Sequence, residues 1–393
     1  MKNKITAAVF VIMLAAFAAL FALGKGNVTG ENREAAKIPA LSAKSVFSGS
    51  FARDFSAFVD DKIALRSFFT SLNKELNSKK GIKTPAGRLV VTDSDIGTGE
   101  EKKSEFLIVN NLVFELFSKD THLADEYADA INHYAKNLDP SINLYFALIP
   151  TAVEFQDAIY SNLQDSQKEI IDYVNSHLDS RVKTVDMYSS IQNHKDEYVY
   201  FRTDHHWTQL GAYYGYEALC SAADVTAADK DSFPKEDISS FLGSLYTQTA
   251  AEELQNSPDT LEWYDTTYDN CIDIFMRNYD GGIMTYNSPV FDKNEDDYRF
   301  FLSGDNPLVC LTNKNNPEGK TLVIIRDSFA NAFAPWVIRS YSRVILVDPR
   351  SAGLDFNNIL NEFQPDDVLI MNYVFSTAFN GYSALLSNLY RAP

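Results

Sequence analysis

Two patterns of hydrophobic residues divide this chain. Between residues 47 and 77, phenylalanine and aliphatic residues recur at steps of three and four, which predicts an amphipathic helical region. From residue 143 onwards, amphipathic segments alternate with continuous apolar runs at 143–149, 321–325, 343–347 and 367–371. Apolar runs of this length are typical of strands that are buried on both faces. The alternation therefore predicts an α/β domain in which a mostly parallel sheet carries helices on both faces.

The alternation is lost between residues 222 and 318. The part from 251 to 305 carries thirteen Asp or Glu residues against three Arg or Lys, together with several tyrosines that include Tyr298. This composition is typical of a solvated, irregular insertion with short antiparallel strands. Aromatic rings beside carboxylates also suit sugar recognition, so a lid or a carbohydrate-facing surface is the alternative interpretation.

These patterns divide the chain into three regions. We assign 1–25 to a membrane segment, 26–100 to a tether and helical region, and 101–393 to the α/β domain that contains the insertion. Residues 79–105 are rich in Gly, Lys, Asp and Thr, which predicts a loop around one short strand. Helices are predicted near 123–137, 165–178, 208–220 and 329–339.

The N-terminus has the pattern of an exported protein. Lys2 and Lys4 precede an uncharged apolar run of 19 residues over 5–23. At ~1.5 Å per residue this run matches about one hydrocarbon thickness, whereas a cleaved signal peptide has an apolar core of ~7–15 residues. We predict an uncleaved, single-pass anchor in the cell membrane with the main domain outside the cytoplasm. A weak small-residue site at 22–24 leaves cleavage open.

Composition excludes several classes of function. A formal net charge of −18 and a pI of about 4.7 argue against nucleic acid as a partner. Cys220, Cys271 and Cys310 are widely spaced and form no metal-binding pattern. Buried free thiols are the favoured interpretation, with a single disulfide as the alternative. We expect neither a metal nor another cofactor.

The densest chemistry lies in the run Asp204-His205-His206-Trp207. Histidine is scarce, since only six occur in the chain, and two of them are adjacent here. An Asp close to a His orients the imidazole as a general base. A buried histidine that a carboxylate stabilises is one alternative. A metal site is another, although zinc ligands usually come at helical spacing or with cysteines.

A candidate nucleophile follows the apolar run at 321–325. Ser328 opens the next helix, and ligands of open α/β sheets bind at the C-terminal ends of strands. Backbone amides at a helix N-terminus also stabilise negative charge, so this position offers a nucleophile and an oxyanion donor together. The alternative is a serine that only caps the helix beside Asp327.

Three stretches of sequence resemble the signatures of a known family. Residues 201–214, FRTDHHWTQLGAYY, resemble those of the DHHW protein family, as do 322–335, LVIIRDSFANAFAP, and 344–350, VILVDPR. That family is similar to the SGNH-hydrolase-like domains of alginate O-acetyltransferases, in which Asp and His precede Ser in a circularly permuted order. The resemblance spans roughly 45–393 and implies an SGNH-hydrolase-like, flavodoxin-like three-layer fold.

The resemblance also implies a role for each residue of the two motifs. Ser328 would be the nucleophile, His206 the base and Asp204 the residue that orients the base. His205 would be structural, with a role as alternate base left open. Trp207 would pack beside the catalytic imidazole.

Candidates for oxyanion stabilisation are less specific. Asn372, at the end of the last strand, corresponds by analogy to an oxyanion donor, although a polar strand-end residue is the alternative. Asn331 and Thr151 have weaker claims. Arg326 stands where free SGNH hydrolases carry Gly, so their oxyanion geometry does not transfer directly to this chain.

Taken together, the resemblance and the predicted topology imply an extracytoplasmic O-acyltransferase, with acetyl as the expected group. The substrate would be a cell-surface or exported polysaccharide, and a multi-spanning membrane O-acyltransferase would supply the acyl group. A carbohydrate acetylesterase with the same triad is the main alternative. A non-catalytic glycan-binding or scaffold protein of an envelope complex is an alternative from another class.

Overall fold

The computed structural model describes residues 37–39, 41, 51, 55–56, 58–59, 62, 82–84, 87–95, 101–278 and 283–391. The chain divides into two units, 1–80 and 81–393, and all elements named below belong to the second unit. The described residues between 51 and 62 are helical, whereas most of the helical region predicted over 47–77 and the apolar run at 5–23 lie outside the described residues. In the part of the chain that is described, no helix is long and apolar enough to cross a membrane.

Strands and short helices alternate through most of the second unit. The strands are β1 (Ile82–Thr84), β2 (Gly87–Asp95), β3 (Glu101–Val109), β4 (Leu112–Glu115), β5 (Asn143–Ile149), β6 (Val182–Thr184), β7 (Lys235–Phe241), β8 (Asp259–Tyr264), β9 (Ile272–Asn278), β10 (Met284–Tyr286), β11 (Leu308–Asn313), β12 (Thr321–Arg326), β13 (Arg343–Val347) and β14 (Asp367–Tyr373). The helices are α1 (Thr121–Asn137), α2 (Ala158–Ser161), α3 (Gln167–Ser176), α4 (Met187–Gln192), α5 (Gln209–Ala223), α6 (Ser244–Thr249), α7 (Glu252–Gln255), α8 (Ala330–Val337), α9 (Phe356–Phe363) and α10 (Tyr382–Leu389).

The central sheet has the strand order β10-β9-β11-β13-β12-β14-β5-β6. The five strands from β13 to β6 are parallel, and β11, β9 and β10 extend the β13 edge in antiparallel pairings. The predicted α/β fold with a mostly parallel sheet is therefore confirmed. Ile325 lies opposite both Val347 and Ile370, so the C-terminal ends of β12, β13 and β14 meet at one edge.

Both faces of this sheet are buried, which explains the continuous apolar runs in the sequence. Along β12, Leu322 and Ile324 enter one core, while Val323 and Ile325 enter the other. Helices α4, α5 and α8 pack in the first core, and α1, α3, α9 and α10 pack in the second. The result is a three-layer arrangement.

A second sheet, in the order β1-β2-β3-β4, is antiparallel throughout. The prediction of a loop with one short strand over residues 79–105 is therefore wrong. In β2, Val90 is 2% exposed and its neighbour Val91 is 48% exposed. A strand in which buried and exposed positions are neighbours mixes polar and apolar residues, so its composition resembles that of a loop.

The region 222–318 contains the short antiparallel strands that the sequence predicts. Strands β7 and β8 form a two-stranded sheet, and β9 to β11 join the edge of the central sheet. All three cysteines are buried and free, which agrees with the favoured interpretation of the sequence.

Candidate active site

The histidine run and the serine turn are joined through Trp207. Its indole is fully buried, and Nε1 donates a hydrogen bond of 2.9 Å to the backbone carbonyl of Phe329. Thr208 caps helix α5 by accepting a hydrogen bond from the N–H of Gly211. A side chain at Gly211 would place its Cβ 2.2 Å from the Val199 carbonyl, so only glycine fits this contact. The indole also contacts the rings of Phe329 and Phe333, while its predicted packing beside the His206 imidazole stays a prediction.

The three residues predicted to act together form one hydrogen-bonded chain. His206 Nδ1 lies 2.6 Å from Asp204 Oδ1, and His206 Nε2 lies 2.7 Å from Ser328 Oγ. The contact joins residues that are 122 positions apart. Asp204 is 3% exposed and His206 is 1% exposed, while Ser328 is half-buried. This order places an activating base on a hydroxyl that solvent and ligands can reach.

Asp204 is held as a carboxylate. Burial alone raises its pKa, but the His206 imidazole and the hydrogen bonds to the carboxylate outweigh burial and hold the pKa well below the usual value. The backbone N–H of Ser244 donates 2.7 Å to Oδ2. A Cβ on Gly243 would come within 2.3 Å of the Asp204 Cβ, so the chain from the insertion approaches this residue closely.

His205 has different partners from His206. Its Nδ1 lies 2.6 Å from Ser244 Oγ, and its side chain is 23% exposed. Burial, followed by the neighbouring His206, lowers the pKa of His205 to about 3. His205 is therefore a neutral imidazole, and its Nδ1 bonds to Ser244 rather than to Ser328.

The same run contains a set of atoms that could hold a cation. Asp204, His205 and His206 each offer one ligand atom within 4.8 Å of the others. Asp204 and His206 bond to each other, His206 also contacts Ser328, and His205 contacts Ser244. A cation that used all three residues would have to replace hydrogen bonds that already satisfy them.

The backbone N–H of Ser328 is a candidate oxyanion donor. Among the described residues, none accepts a hydrogen bond from it. The following turn is fixed by the buried carboxylate of Asp327, which accepts from the N–H of Phe329 at 3.0 Å and from the N–H of Tyr373 at 2.7 Å. Burial raises the pKa of Asp327.

The structure places Asn372 away from the hydrogen-bonded chain. Its Oδ1 accepts from Tyr127 at 2.7 Å, and its Nδ2 donates to Tyr382 at 2.7 Å, both on the side of the sheet that faces α1 and α10. To stabilise an oxyanion at Ser328, Asn372 would have to use the second hydrogen of Nδ2, because the first one binds Tyr382. Thr151 accepts from Gln167 and lines a cleft beside His205.

Arg326 lies in a buried ionic network beneath Ser328. Its guanidinium, which is fully buried, contacts Asp305 Oδ1 at 2.8 Å and Asp348 at 3.5 Å. Asp305 also binds Arg350 at 2.7 Å and accepts 2.9 Å from Asn331 Nδ2. The two arginines hold the pKa of Asp305 well below its usual range despite burial. Asn331 therefore has one amide hydrogen committed to this network.

Several residues that hold the site carried no signal in the sequence. Ser244 binds Asp204 and His205, Tyr298 stacks on His206, and Asp305 pairs with the arginine below Ser328. Asp259 fastens the segment before the run, since its Oδ2 accepts 2.7 Å hydrogen bonds from the N–H and the hydroxyl of Thr203. All four come from the insertion, whose acidic and tyrosine-rich composition predicts a solvated surface. Tyr298 is instead 2% exposed.

A cleft lies beside His205. Its walls are mostly apolar and come from β4, the turn after β5, helix α6 and the end of β14. The lining residues are Val113, Phe114, Glu115, Thr151, Ala152, Val153, Asp204, His205, Leu245 and Tyr373. The C-terminal edge of the parallel strands is the usual place for a ligand in an open α/β sheet.

Comparison with known proteins bears on this site directly. The family model of the DHHW protein matches residues 86–347, a range that includes both the histidine run and the serine turn. The chain belongs to the DHHW protein family. A DHHW family protein from Eubacterium siraeum is 24% identical with a TM-score of 0.63, over 77% of this chain and 99% of that one.

Two structures of PatB1 from Bacillus cereus, one of them with a sulfonyl adduct, are 19% identical to this chain. Their TM-scores are 0.58 and 0.59, over 71% of this chain and 99% and 97% of theirs. No curated protein matches. At this level of identity, the likeness to solved structures establishes the fold.

Proposed function

We propose that this DHHW protein is an O-acyltransferase that uses Ser328 as nucleophile, His206 as general base and Asp204 to orient the base. The observation that carries the proposal is the hydrogen-bonded chain of these three side chains, with contacts of 2.6 and 2.7 Å. Its fully buried carboxylate and half-buried hydroxyl are what acyl transfer requires.

The reaction has two halves. Ser328 Oγ attacks the carbonyl carbon of an acyl donor while its proton passes to His206 Nε2, and the Ser328 N–H stabilises the oxyanion. Collapse of the tetrahedral intermediate breaks the bond to the leaving group, which takes the proton from His206 and leaves an acyl-serine. An acceptor hydroxyl then gives its proton to His206 and attacks the acyl-serine. The bond between the acyl carbon and Ser328 Oγ breaks, Ser328 Oγ takes the proton back from His206, and the new ester is released.

Three further features support acyl chemistry at this position. The apolar walls beside His205 suit the alkyl part of a short acyl group, since they offer few hydrogen-bond partners. Because His205 is neutral, the cleft that it lines carries no positive charge from this residue. PatB1, which shares the fold, carries a sulfonyl adduct in one of its structures, and sulfonylating reagents modify activated nucleophiles.

The substrate and setting extend this proposal. The acceptor is a hydroxyl of a cell-surface or exported polysaccharide, the acyl group is acetyl, and the protein is held at the cell membrane by residues 5–23. Because coenzyme A is not available outside the cell, a multi-spanning membrane O-acyltransferase supplies the acyl group. The net charge of −18 favours a neutral or amino-sugar polymer over a strongly anionic one.

A carbohydrate esterase is the second candidate. Ser328 is half-buried rather than enclosed, so water can take the place of the acceptor sugar in the second half-reaction. Transfer and hydrolysis share every step up to the acyl-serine, and they differ in the molecule that attacks it.

Incubation of the full chain with 4-nitrophenyl acetate, with and without neutral or amino-sugar oligosaccharides, tests the proposal. A transferase releases nitrophenol faster when an acceptor is present, and mass spectrometry detects the acetylated oligosaccharide. Hydrolysis that no oligosaccharide alters supports the esterase. A scaffold protein gives no turnover above that of the Ser328→Ala variant.

A further inference from the structure

One aromatic ring of the insertion lies directly against the proposed base. The Tyr298 ring is parallel to the His206 imidazole, with centroids 3.6 Å apart and an interplanar angle of 1°. Tyr298 is 2% exposed and begins a 3₁₀ turn, Tyr298–Phe300, that Asp297 caps. Phe301 meets the tyrosine ring edge-on at 5.3 Å, which fixes its position.

The His206 imidazole is enclosed from both sides. The His205 ring lies 3.8 Å away at 35°, and Phe329 lies 4.9 Å away at 53°. Two rings cannot lie within 4 Å of the same imidazole face, so Tyr298 and His205 cover opposite faces. The imidazole can therefore turn only within its own plane, and the hydrogen bonds to Asp204 and Ser328 lie along that plane.

We propose that Tyr298 is a positioning residue for the His206 base, and this rests on the function proposed above. Its ring holds the imidazole in the plane that joins Asp204 to Ser328. Its electron-rich face also stabilises the imidazolium that forms when Ser328 transfers its proton. Tyr298 touches neither the acyl group nor the acceptor.

The electrostatic part of this role has a simple physical basis. The face of an aromatic ring carries negative charge and attracts a cation above it, and the attraction is largest where water is excluded. His206 is 1% exposed, so its imidazolium depends on its protein neighbours. The titratable groups in contact with it are Asp204 and His205 from its own run and Tyr298 from the insertion. Asp305 from the insertion, Asp327 from the turn after β12 and Arg350 after β13 act electrostatically on these neighbours.

Graded fluorination of one ring tests the proposal without a change in packing. Phenylalanine, 4-fluoro-, 3,5-difluoro- and 3,4,5-trifluorophenylalanine replace Tyr298 in the full chain, and the readout is the rate at which phenylmethylsulfonyl fluoride modifies Ser328. Fluorine withdraws electron density from the ring face while it keeps the shape of the ring. The matched control is the same series at Phe300, which is fully buried and stacks on Trp263 and Phe291 rather than on His206.

We expect Tyr298→Phe to react within about 3-fold of the wild type, and the trifluoro ring to react about 10-fold more slowly than phenylalanine. The pH of half-maximal reactivity moves lower along the series, because a weaker ring face favours the neutral imidazole. The series at Phe300 leaves both quantities unchanged. In Tyr298→Leu, which removes the ring, reactivity falls at least as far as in the trifluoro variant.

The role of Tyr298 is overturned if the rate of Ser328 modification and its pH midpoint stay constant along the fluorinated series while the protein remains reactive. The proposed function stands in that case. A parallel decline in the Phe300 series also overturns the role of Tyr298, because the effect would then be general to the core. A wild-type protein whose Ser328 does not react overturns the proposed function and Tyr298's role with it.

Discussion

The parallel strands and the insertion at 222–318 contribute to the same site in different ways. The turn after β12 supplies Ser328, and the segment before helix α5 supplies Asp204 and His206, which are the reacting groups of the proposed mechanism. The insertion supplies groups that hold them, such as Ser244 against Asp204 and Tyr298 against His206. The reacting groups therefore belong to segments with strong local patterns, while the supporting groups come from a segment without one.

The largest expected effect falls on the reacting groups. Ser328→Ala and His206→Asn each lower the rate of ester turnover about 10³- to 10⁴-fold, and the double variant loses little more, because the two side chains act as one unit. Steady-state turnover of 4-nitrophenyl acetate measures all three variants. Losses that multiply in the double variant would mean that the two residues act independently.

Next in size is a loss of stability when the insertion's Asp305 loses its charge. Asp305→Asn leaves the buried Arg326 with the Asn306 carbonyl and, as its carboxylate partner, Asp348 at 3.5 Å, so the free energy of unfolding falls by about 3 kcal/mol. Asp273→Asn, which removes an exposed pair with Lys314, is the control and costs less than about 1 kcal/mol. Equal costs in urea unfolding would show that the network beneath Ser328 contributes no more than a surface pair.

Substitutions at Gly243 and Ser244 separate two contributions of the insertion, namely the position of the Asp204 carboxylate and the hydrogen bond from the Ser244 hydroxyl to His205. Gly243→Ala places a Cβ 2.3 Å from the Asp204 Cβ, which displaces the carboxylate and lowers turnover about 100-fold. Ser244→Ala is the milder partner, since it keeps the backbone N–H that binds Asp204 and removes only the hydroxyl at His205. A Gly243→Ala enzyme as active as Ser244→Ala would show that Asp204 does not need this close approach.

The smallest effect is a pH dependence that comes from His205. Its pKa of about 3 in the folded protein lies below the ordinary value near 6.5, so the unfolded chain takes up a proton first as the pH falls. Stability from this group is complete above about pH 6.5 and is lost toward pH 3, and the loss between pH 7 and pH 5 is about 2 kcal/mol. His205→Gln reduces this loss in thermal unfolding, whereas His122→Gln, at an exposed histidine, leaves it unchanged.

The sequence predicted what local chemistry determines. Four buried strands of the central sheet appear as continuous apolar runs, and β5 and β13 have the predicted bounds. The Asp-His spacing and the strand-end serine marked the three groups that meet. The α/β topology places Ser328 at the edge where the parallel strands end, whereas its contact with His206 depends on how the run before helix α5 packs on the serine turn through Trp207.

The features that the sequence did not predict depend on contacts between distant residues, which leave no periodic pattern of hydrophobic positions. In β2 a buried Val90 stands beside an exposed Val91, and polar residues outnumber apolar ones between 92 and 105, so the composition resembles that of a loop. The stack of Tyr298 on His206 joins residues from different elements, and its tyrosine lies in a stretch whose average composition indicates solvent. The side-chain bonds of Asn372 to Tyr127 and Tyr382 likewise depend on helices that are remote in sequence.

Covalent labelling tests the central claim most directly. The full chain is treated with phenylmethylsulfonyl fluoride at pH 7.5, and the adduct is located by intact mass and peptide mapping. The proposed site predicts one adduct, on Ser328, which is absent in Ser328→Ala and forms far more slowly in His206→Asn. An unmodified Ser328, or an adduct on it that forms equally fast without His206, would contradict the account.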